Sequence, residues 1–564
     1  MVADMRNSSK NRQIVWMFFL AVLVYGIYVS FFTSTVHIEV DEELYLELAK
    51  SFHYEHRFVV NGRVVNYSCV LYSLLISLAY YVYSPERILL LIRLIGVVCM
   101  CSGIFPIWKL SKKVLGDEKK AFFISGLSMI MPYMFDSAYV MQEVLSYPLF
   151  LWSVYFLYCV YEEKKTKDIM LLAVFSVLCF FSKTYLFCIP LVVGLYWVFL
   201  LFTANEKEYL TIGLKYAGCY AGLFGLFYLG IAWINGGEGS NHYASQVSQL
   251  FPITFLTVIS AILGIAVYFA LFMLNTGIFP LLSVWTGRRK LKNADRKLAD
   301  TILWMGLFLI VQTVILIVLT EEGVPTIPHK FLFRYFQVLV PVLLILFQKV
   351  EGQLSFLHQR SARAMVGAVL LIDFAYFLVM KGNTRQAIAD GHIYLLLENL
   401  TKYLFPYADA VIIILIAAAV VIFTFGVKKN EAVWTKYYPK GIIIFLICFW
   451  ILNVIQLPYY TNFIAGGSKL QKDGISLADY LVDKTKNNEK IYYLESGNEN
   501  VYLRNIYGYL KQGTIVLKDV ETVEAESNQY CITAKENADL MTGWTRIALP
   551  TEVLDLYMRE DTVK

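Results

Sequence analysis

Long apolar runs recur along most of this chain, and they constrain its fold more than any other feature. Inside a bilayer every backbone N–H and C=O needs an internal partner, so runs of about twenty apolar residues can cross it only as helices. The runs lie near 14–36, 88–108, 121–141, 144–160, 169–182, 185–203, 214–234, 252–285, 301–320, 335–348, 365–380, 409–427 and 441–457. The 252–285 run is long enough to tilt or to include an interfacial piece. The run at 14–36 is too long for a signal peptide core and lacks a small-residue cleavage site, so it reads as a retained helix. Only 16% of the 564 residues are charged and 58% are hydrophobic, whereas a soluble chain is about a quarter charged. The expected class is a mainly α, polytopic membrane protein with about 13 transmembrane helices.

Lys and Arg set the orientation. One alternating set of segments, including "KLSKKVLGDEKK", "GRRKLKNADRK" and "KKNEAVWTKYYPK", carries 26 of them, against about ten in the opposite loops. The basic side is expected to be cytoplasmic. The N-terminus then lies inside, the cell membrane is crossed many times, and residues 458–564 lie outside. The loops at 37–87, 235–251, 321–334 and 381–408, with short turns near 142 and 183, share that outer side. The chain divides into a membrane part, 1–457, and a small extracytoplasmic α/β domain, 458–564. In the latter, "DGISLADYLVDKTKNNE" reads as an amphipathic helix with a weak capping signal from Ser476 to Asp479. "NENVYLRNIYGYLKQ" reads as a second helix, and "KIYYLES", "TIVLKD", "QYCITAK" and "TRIALP" as strands.

Several chemistries find no support. The nine cysteines are scattered, mostly within apolar runs, and form no CxxC pair or disulfide framework. No Gly-rich nucleotide loop or internal repeat is evident, and no basic stretch is interleaved with aromatics as nucleic-acid binding requires. No cofactor is expected. His53 and His56 stand three apart with His37 nearby, but a metal site needs convergent partners beyond that spacing. Asn66-Tyr67-Ser68 and Asn399-Leu400-Thr401 match a glycosylation acceptor pattern.

The stretch "VHIEVDEELYLELAKSF", Val36 to Phe52, places five carboxylates at the exit of the first span. On a helix starting near Asp41, Leu44, Leu48 and Phe52 share one face, and Glu43, Glu47 and Lys50 share another. This describes an interfacial helix with Glu43 and Glu47 on a solvated face. Asp41 and Glu42 differ, because a carboxylate where a span ends is costly without a partner or a task. Asp41 suits either a catalytic base or a helix N-cap. Adjacent helical residues point about 100° apart, which leaves one to act and the other to orient a loop or a ligand hydroxyl. Arg93, inside the second span, needs an acidic partner or a ligand.

A span, an Asp-Glu exit, "LYLELAKSF" and then "NYSCVLYSLLISLAYYV" resemble the GT-C superfamily of polyprenyl-phosphate-sugar-dependent glycosyltransferases. That superfamily includes protein O-mannosyltransferases, the aminoarabinose transferase and arabinofuranosyltransferases. "VMQEVLSYPLF" resembles its second acidic turn, with Glu143 in that position. "FFSKTYLFCIP" resembles the turn where relatives carry a basic residue, here Lys183, and "HKFLFRYFQVLVP" resembles the late Arg-Tyr segment, with Lys330, Arg334 and Tyr335. Where many relatives carry Pro-Pro-Leu after a Lys, this chain has "NYSCVLY", so the resemblance does not assign the phosphate-binding cation.

The resemblance implies an integral-membrane enzyme that moves a sugar from a polyprenyl-phosphate donor to a cell-envelope glycan, lipid or protein on the outer face. Asp41 would take the acceptor's proton, with Glu42 beside it in the catalytic site. Arg63, Lys183, Lys330 and Arg334 are candidates to hold the departing phosphate, with Glu143 and Tyr335 in the substrate site. A transporter or flippase, or a polymerase, of lipid-linked saccharide is the rival reading. An enzyme would gather Asp41, Glu143 and Arg334 into one outer cavity, whereas a transporter would show interrupted helices with midplane charges.

Overall fold

The computed structural model describes residues 2–32, 40–60, 63–82, 85–237, 240–241, 255–276, 279–320, 332–350, 360–380, 467–482, 490–494, 514–518 and 530–559. Seven helical stretches among these are long and apolar enough to cross a membrane: 11–30, 87–115, 143–163, 184–203, 208–234, 255–275 and 293–317. The expected runs at 409–427 and 441–457 lie outside the described residues. Where described, each of the others falls on helix, with three corrections. The run at 121–141 is not one span. Its helix, Glu118–Met129, stops before Pro132, and a 3₁₀ segment, Pro132–Ala138, follows. Proline cannot donate into a helical ladder, and twelve residues rise only about 18 Å. The run at 252–285 forms two helices, Phe255–Asn275 and Phe279–Gly287. The run at 335–348 begins with 3₁₀ turns at Phe333–Tyr335 and Gln337–Leu339 before its helix, Val340–Lys349.

Local chemistry explains several of these joints. Pro85–Ser102 and Ile104–Leu115 are nearly continuous, with Gly103 between them. A Cβ on Gly103 would lie 2.5 Å from the Tyr147 ring, so only glycine admits that buried tyrosine. The turn after Leu115 pairs two stop-and-start signals. Gly116 is left-handed at φ 65° and donates to the Lys112 carbonyl, and the Asp117 carboxylate then caps the next helix through the N–H groups of Lys119 and Lys120.

Ion pairs and hydrogen bonds gather the basic turns at one end of the bundle. Lys113 meets Glu162 and Glu163, and Lys164 meets Glu208. Lys297 meets Glu206 at 2.6 Å, and Lys349 meets both Asp295 at 3.1 Å and the Val114 carbonyl at 2.6 Å. The segment after the first span lies at the other end. It contains α1 (Val40–Glu55), the hairpin β1 (Val59–Val60) and β2 (Arg63–Asn66), and a short helix, Leu71–Ile76. β2 also pairs in parallel with β3, Ser240–Asn241. Asn235, fully buried after Glu208–Ile234, fastens this unit. Its Oδ1 accepts from the Phe58 N–H at 3.0 Å, and its Nδ2 donates to the Val65 carbonyl and to Asn66 Oδ1.

The C-terminal part contains a helix, Gly467–Val482, and a five-stranded sheet ordered β5-β4-β6-β8-β7. Its strands are β4 (Lys490–Leu494), β5 (Thr514–Lys518), β6 (Tyr530–Ala534), β7 (Trp544–Ile547) and β8 (Leu554–Arg559). β5, β4 and β6 run parallel, and β8 and β7 are antiparallel. The four expected strands are present and β8 is additional. The expected helix starts earlier, so Ser476 lies inside it and caps nothing. Asp473 instead joins this helix to the sheet, accepting from the N–H groups of Glu552, Val553 and Leu554 at 2.7–2.8 Å. The second expected helix, 498–512, lies outside the described residues.

Candidate active site

Four segments distant in sequence bring their charged residues together at the end opposite the basic turns. Asp41, Glu143 and Lys183 each stand at a helix end that favours their sign, whereas Arg334 does not and relies on the carboxylates around it. Asp41 is in the first turn of α1, and Glu143 opens the helix Glu143–Glu163. Lys183 follows the C-terminus of Thr166–Ser182, where the backbone turns extended (φ −156°, ψ 121°) and its N–H still donates to the Cys179 carbonyl. Arg334 sits in the 3₁₀ turn before Val340–Lys349.

Glu143 is the hub. Its Oε1 lies 3.2 Å from Lys183 Nζ and 3.4 Å from Arg334 Nε. Arg334 Nη2 reaches Asp41 Oδ2 at 3.5 Å. Side-chain exposure falls from 40% at Asp41 through 12% at Arg334 and 10% at Lys183 to 1% at Glu143, so Asp41 marks the mouth and Glu143 the floor. Aromatic rings wall the cluster. Lys183 Nζ donates to Tyr45 Oη at 3.0 Å and lies 5.5 and 5.9 Å from the Tyr45 and Tyr335 ring centres. Tyr335 packs on Tyr185 at 4.4 Å and lies under the Arg334 guanidinium at 5.7 Å.

The electrostatics follow from burial and charge. Burial alone would lower the Lys183 pKa, but Glu143, then Tyr335 and Asp41, reverse this and hold its ammonium well above the usual lysine range. Burial pushes the Tyr45 and Tyr335 phenols up, so both stay neutral. The site therefore offers two fixed cations, one buried acid and one accessible acid.

Glu42 turns away from this cluster. It is fully buried, and its Oε1 accepts from the Val140 N–H at 2.7 Å. It thereby positions the segment leading into Glu143, aided by Gln142, whose Nε2 donates to the Cys69 carbonyl at 2.6 Å. The expectation of a solvated Glu47 fails. Glu47 is 4% exposed and Lys50 6%, because α1 packs against the hairpin and the helices after it rather than lying free on a surface. Arg63 opens β2 and pairs through its backbone with Val60, but its side chain lies outside the described residues, as does Lys330. Arg93 is 3% exposed inside its span. The His53 ring meets Tyr54 and Tyr81 edge-on, and among the described residues no three potential ligands group to hold a metal.

Sequence reading missed Tyr45 and Tyr185. Tyr45 was accessible to it: four residues after Asp41, it shares that residue's helix face. Tyr185 carries no such signal, because a 3₁₀ turn, Thr184–Phe187, aims it.

No family model matches the sequence, and no curated protein matches it. Solved structures do share the fold. ArnT from Cupriavidus metallidurans bound to undecaprenyl phosphate superposes with a TM-score of 0.60 at 13% identity, over 96% of this chain and 97% of that one. The same protein in the apo state gives 0.56 at 12% identity, over 97% and 98%. The chain shares the fold of these structures: a bundle with seven membrane-length apolar helices among the described residues, and a C-terminal five-stranded sheet.

Proposed function

We propose that this protein is a membrane glycosyltransferase that moves a sugar from a polyprenyl-phosphate donor to a hydroxyl of a cell-envelope acceptor on the outer face. The convergence of Asp41, Glu143, Lys183 and Arg334 within 3.2–3.5 Å contacts carries the proposal. An accessible carboxylate beside two desolvated cations at one end of a membrane bundle suits a reaction that removes a proton and releases a phosphate. The lipid phosphate bound to the ArnT of like fold supports the same donor class. A carrier of lipid-linked saccharide would place its charges at midspan, between interrupted helices.

The proposed step balances as follows. The acceptor O–H gives its proton to the Asp41 carboxylate while its oxygen bonds to the anomeric carbon. The bond from that carbon to the phosphate oxygen breaks, and its electron pair leaves with the polyprenyl phosphate. Lys183 and Arg334 stabilise the charge that gathers there, which matters most in a low-dielectric site. Glu143 holds both cations in place, and Glu42 holds the segment that carries Glu143. The donor is already activated, so no nucleotide and no cofactor enter the scheme.

The test is transfer from synthetic polyprenyl-phosphate sugars to a panel of cell-envelope glycans, lipids and proteins, using the purified full chain. Transfer with at least one pair, absent in Asp41→Asn, is the expected result. No transfer with any pair above the level of that variant overturns the proposal.

A further inference from the structure

At the end of the bundle where the basic turns meet, two apolar clefts flank the helix Asn293–Thr320. One, of about 400 Å³, lies between that helix and the segments around Phe272, Leu282, Leu339 and Met365. The other, of about 280 Å³, lies on the opposite flank against Val192, Tyr196 and Phe199. Trp304 and Leu307 line both and form the ridge between them; they are 57% and 48% exposed.

The clefts meet at one polar head. Arg288 Nε pairs with Asp300 Oδ1 at 3.2 Å, and Tyr196 Oη donates to Asp300 Oδ2 at 3.2 Å. Arg288 and Asp300 line the larger cleft and Tyr196 the smaller. The Arg288 guanidinium lies 4.5 Å from the centre of the half-exposed Trp285 ring, which fixes it at the rim. Arg296 also reaches Asp300, at 3.8 Å, and the exposed Arg289 follows Arg288, so positive charge exceeds what Asp300 neutralises. An aromatic ring beside cations, at the polar end of an apolar cleft, matches a lipid phosphate–acyl boundary.

We propose that this pair of clefts binds one anionic diacyl phospholipid, with its phosphate at Arg288–Arg289 and one acyl chain on each side of the Trp304–Leu307 ridge. Two grooves sharing one head suit a two-chain lipid, whereas a polyprenyl phosphate has a single chain to place. This site lies at the opposite end of the bundle from Asp41 and does not depend on the proposed transfer reaction.

Native mass spectrometry of the full chain in detergent tests this. Phosphatidylglycerol should bind about tenfold or more tighter than phosphatidylcholine of the same chains, and lysophosphatidylglycerol should bind more weakly than its diacyl form. Arg288→Gln with Arg289→Gln should abolish the headgroup preference and keep phosphatidylcholine binding. Gly306→Leu should weaken both lipids, because a Cβ there points toward Leu339 and Phe272 of the larger cleft at 3.5 and 3.8 Å. Should Gly306→Leu fail to fold, the double variant still decides. Equal binding of the two headgroups by the wild type, an unchanged preference in the double variant, or tighter binding of undecaprenyl phosphate at this site each overturns the proposal.

Discussion

Arg334 and Asp41 stand 293 residues apart in sequence, yet the guanidinium of one reaches the carboxylate of the other at 3.5 Å. Asp41 is the most exposed member of its cluster. The contact is long for a charge-assisted hydrogen bond, so an arriving phosphate competes for Arg334 on good terms. Donor binding would then release the carboxylate that the acceptor needs.

Asp41→Asn keeps shape and polarity and removes the proposed base. The expected result is a folded protein whose transfer rate falls by roughly 10²–10⁴. Turnover near wild type in a monodisperse preparation would reject Asp41 as the base.

Arg334→Ala removes a cation that is 12% exposed at the proposed phosphate position. Losing a charge-assisted contact to a desolvated phosphate costs about 1.5–3 kcal/mol. Titration with a non-reactive polyprenyl-phosphate sugar analogue should show weaker donor affinity, with acceptor affinity much less affected. If donor affinity is unchanged in both Arg334→Ala and Lys183→Ala, the phosphate lies elsewhere.

Glu143→Gln separates architecture from chemistry. Its carboxylate serves Lys183 and Arg334 at once from a position 1% exposed. Removing it leaves two desolvated cations short of counter-charge, a loss of about 3–5 kcal/mol. Glu163→Gln, whose carboxylate meets Lys113 and Lys165 at the surface, should cost far less, because solvent screens those pairs. Comparable melting temperatures for the two variants would contradict the hub role of Glu143.

The sequence disclosed the members of this site through their places at span ends: Asp41, Glu143, Lys183 and Arg334 each border an apolar run. It did not disclose their order of burial, which depends on how helix ends stack in depth. Glu47 shows the limit of helix-face reasoning. Its spacing marked it as solvated, but α1 is covered on more than one face, and periodicity records only which residues share a side. The 3₁₀ turns at 132–138 and 333–339 escaped because apolar composition persists through them, and hydropathy does not distinguish a spanning helix from buried irregular backbone.

Lys50 gives a pH signature opposite in sign to that of Lys183. Burial, opposed by Glu47 and Glu55, lowers its pKa from 10.5 to about 8. Between those values the folded chain binds fewer protons at Lys50 than the unfolded chain, so stability rises with pH, by at most about 1.4 kcal/mol per unit. Below about pH 8 the cost of burying the cation is present in full. The raised pKa of Lys183 makes its contribution constant here, lost only above the lysine range. The melting temperature of the wild type relative to Lys50→Met should therefore climb from pH 7.5 to 9.5. A flat or falling difference would exclude a depressed Lys50.

The orientation of the whole scheme rests on which side holds the basic turns. Lys165 lies in one of them, and Asp539 is an exposed position beside the C-terminal sheet. Most native thiols of known position are buried, so labelling of the parent chain should be weak and can be subtracted. An impermeant maleimide applied to intact cells should label Asp539→Cys and leave Lys165→Cys untouched until the membrane is permeabilised. The positive-inside rule makes this the favoured arrangement, because 26 Lys and Arg on one side would otherwise have been translocated. The reverse pattern would put the basic turns outside and Asp41 facing the cytoplasm. The proposed outer-face acceptor would then be out of reach, while the two-cleft lipid site, which depends only on local charge, would stand in the other leaflet.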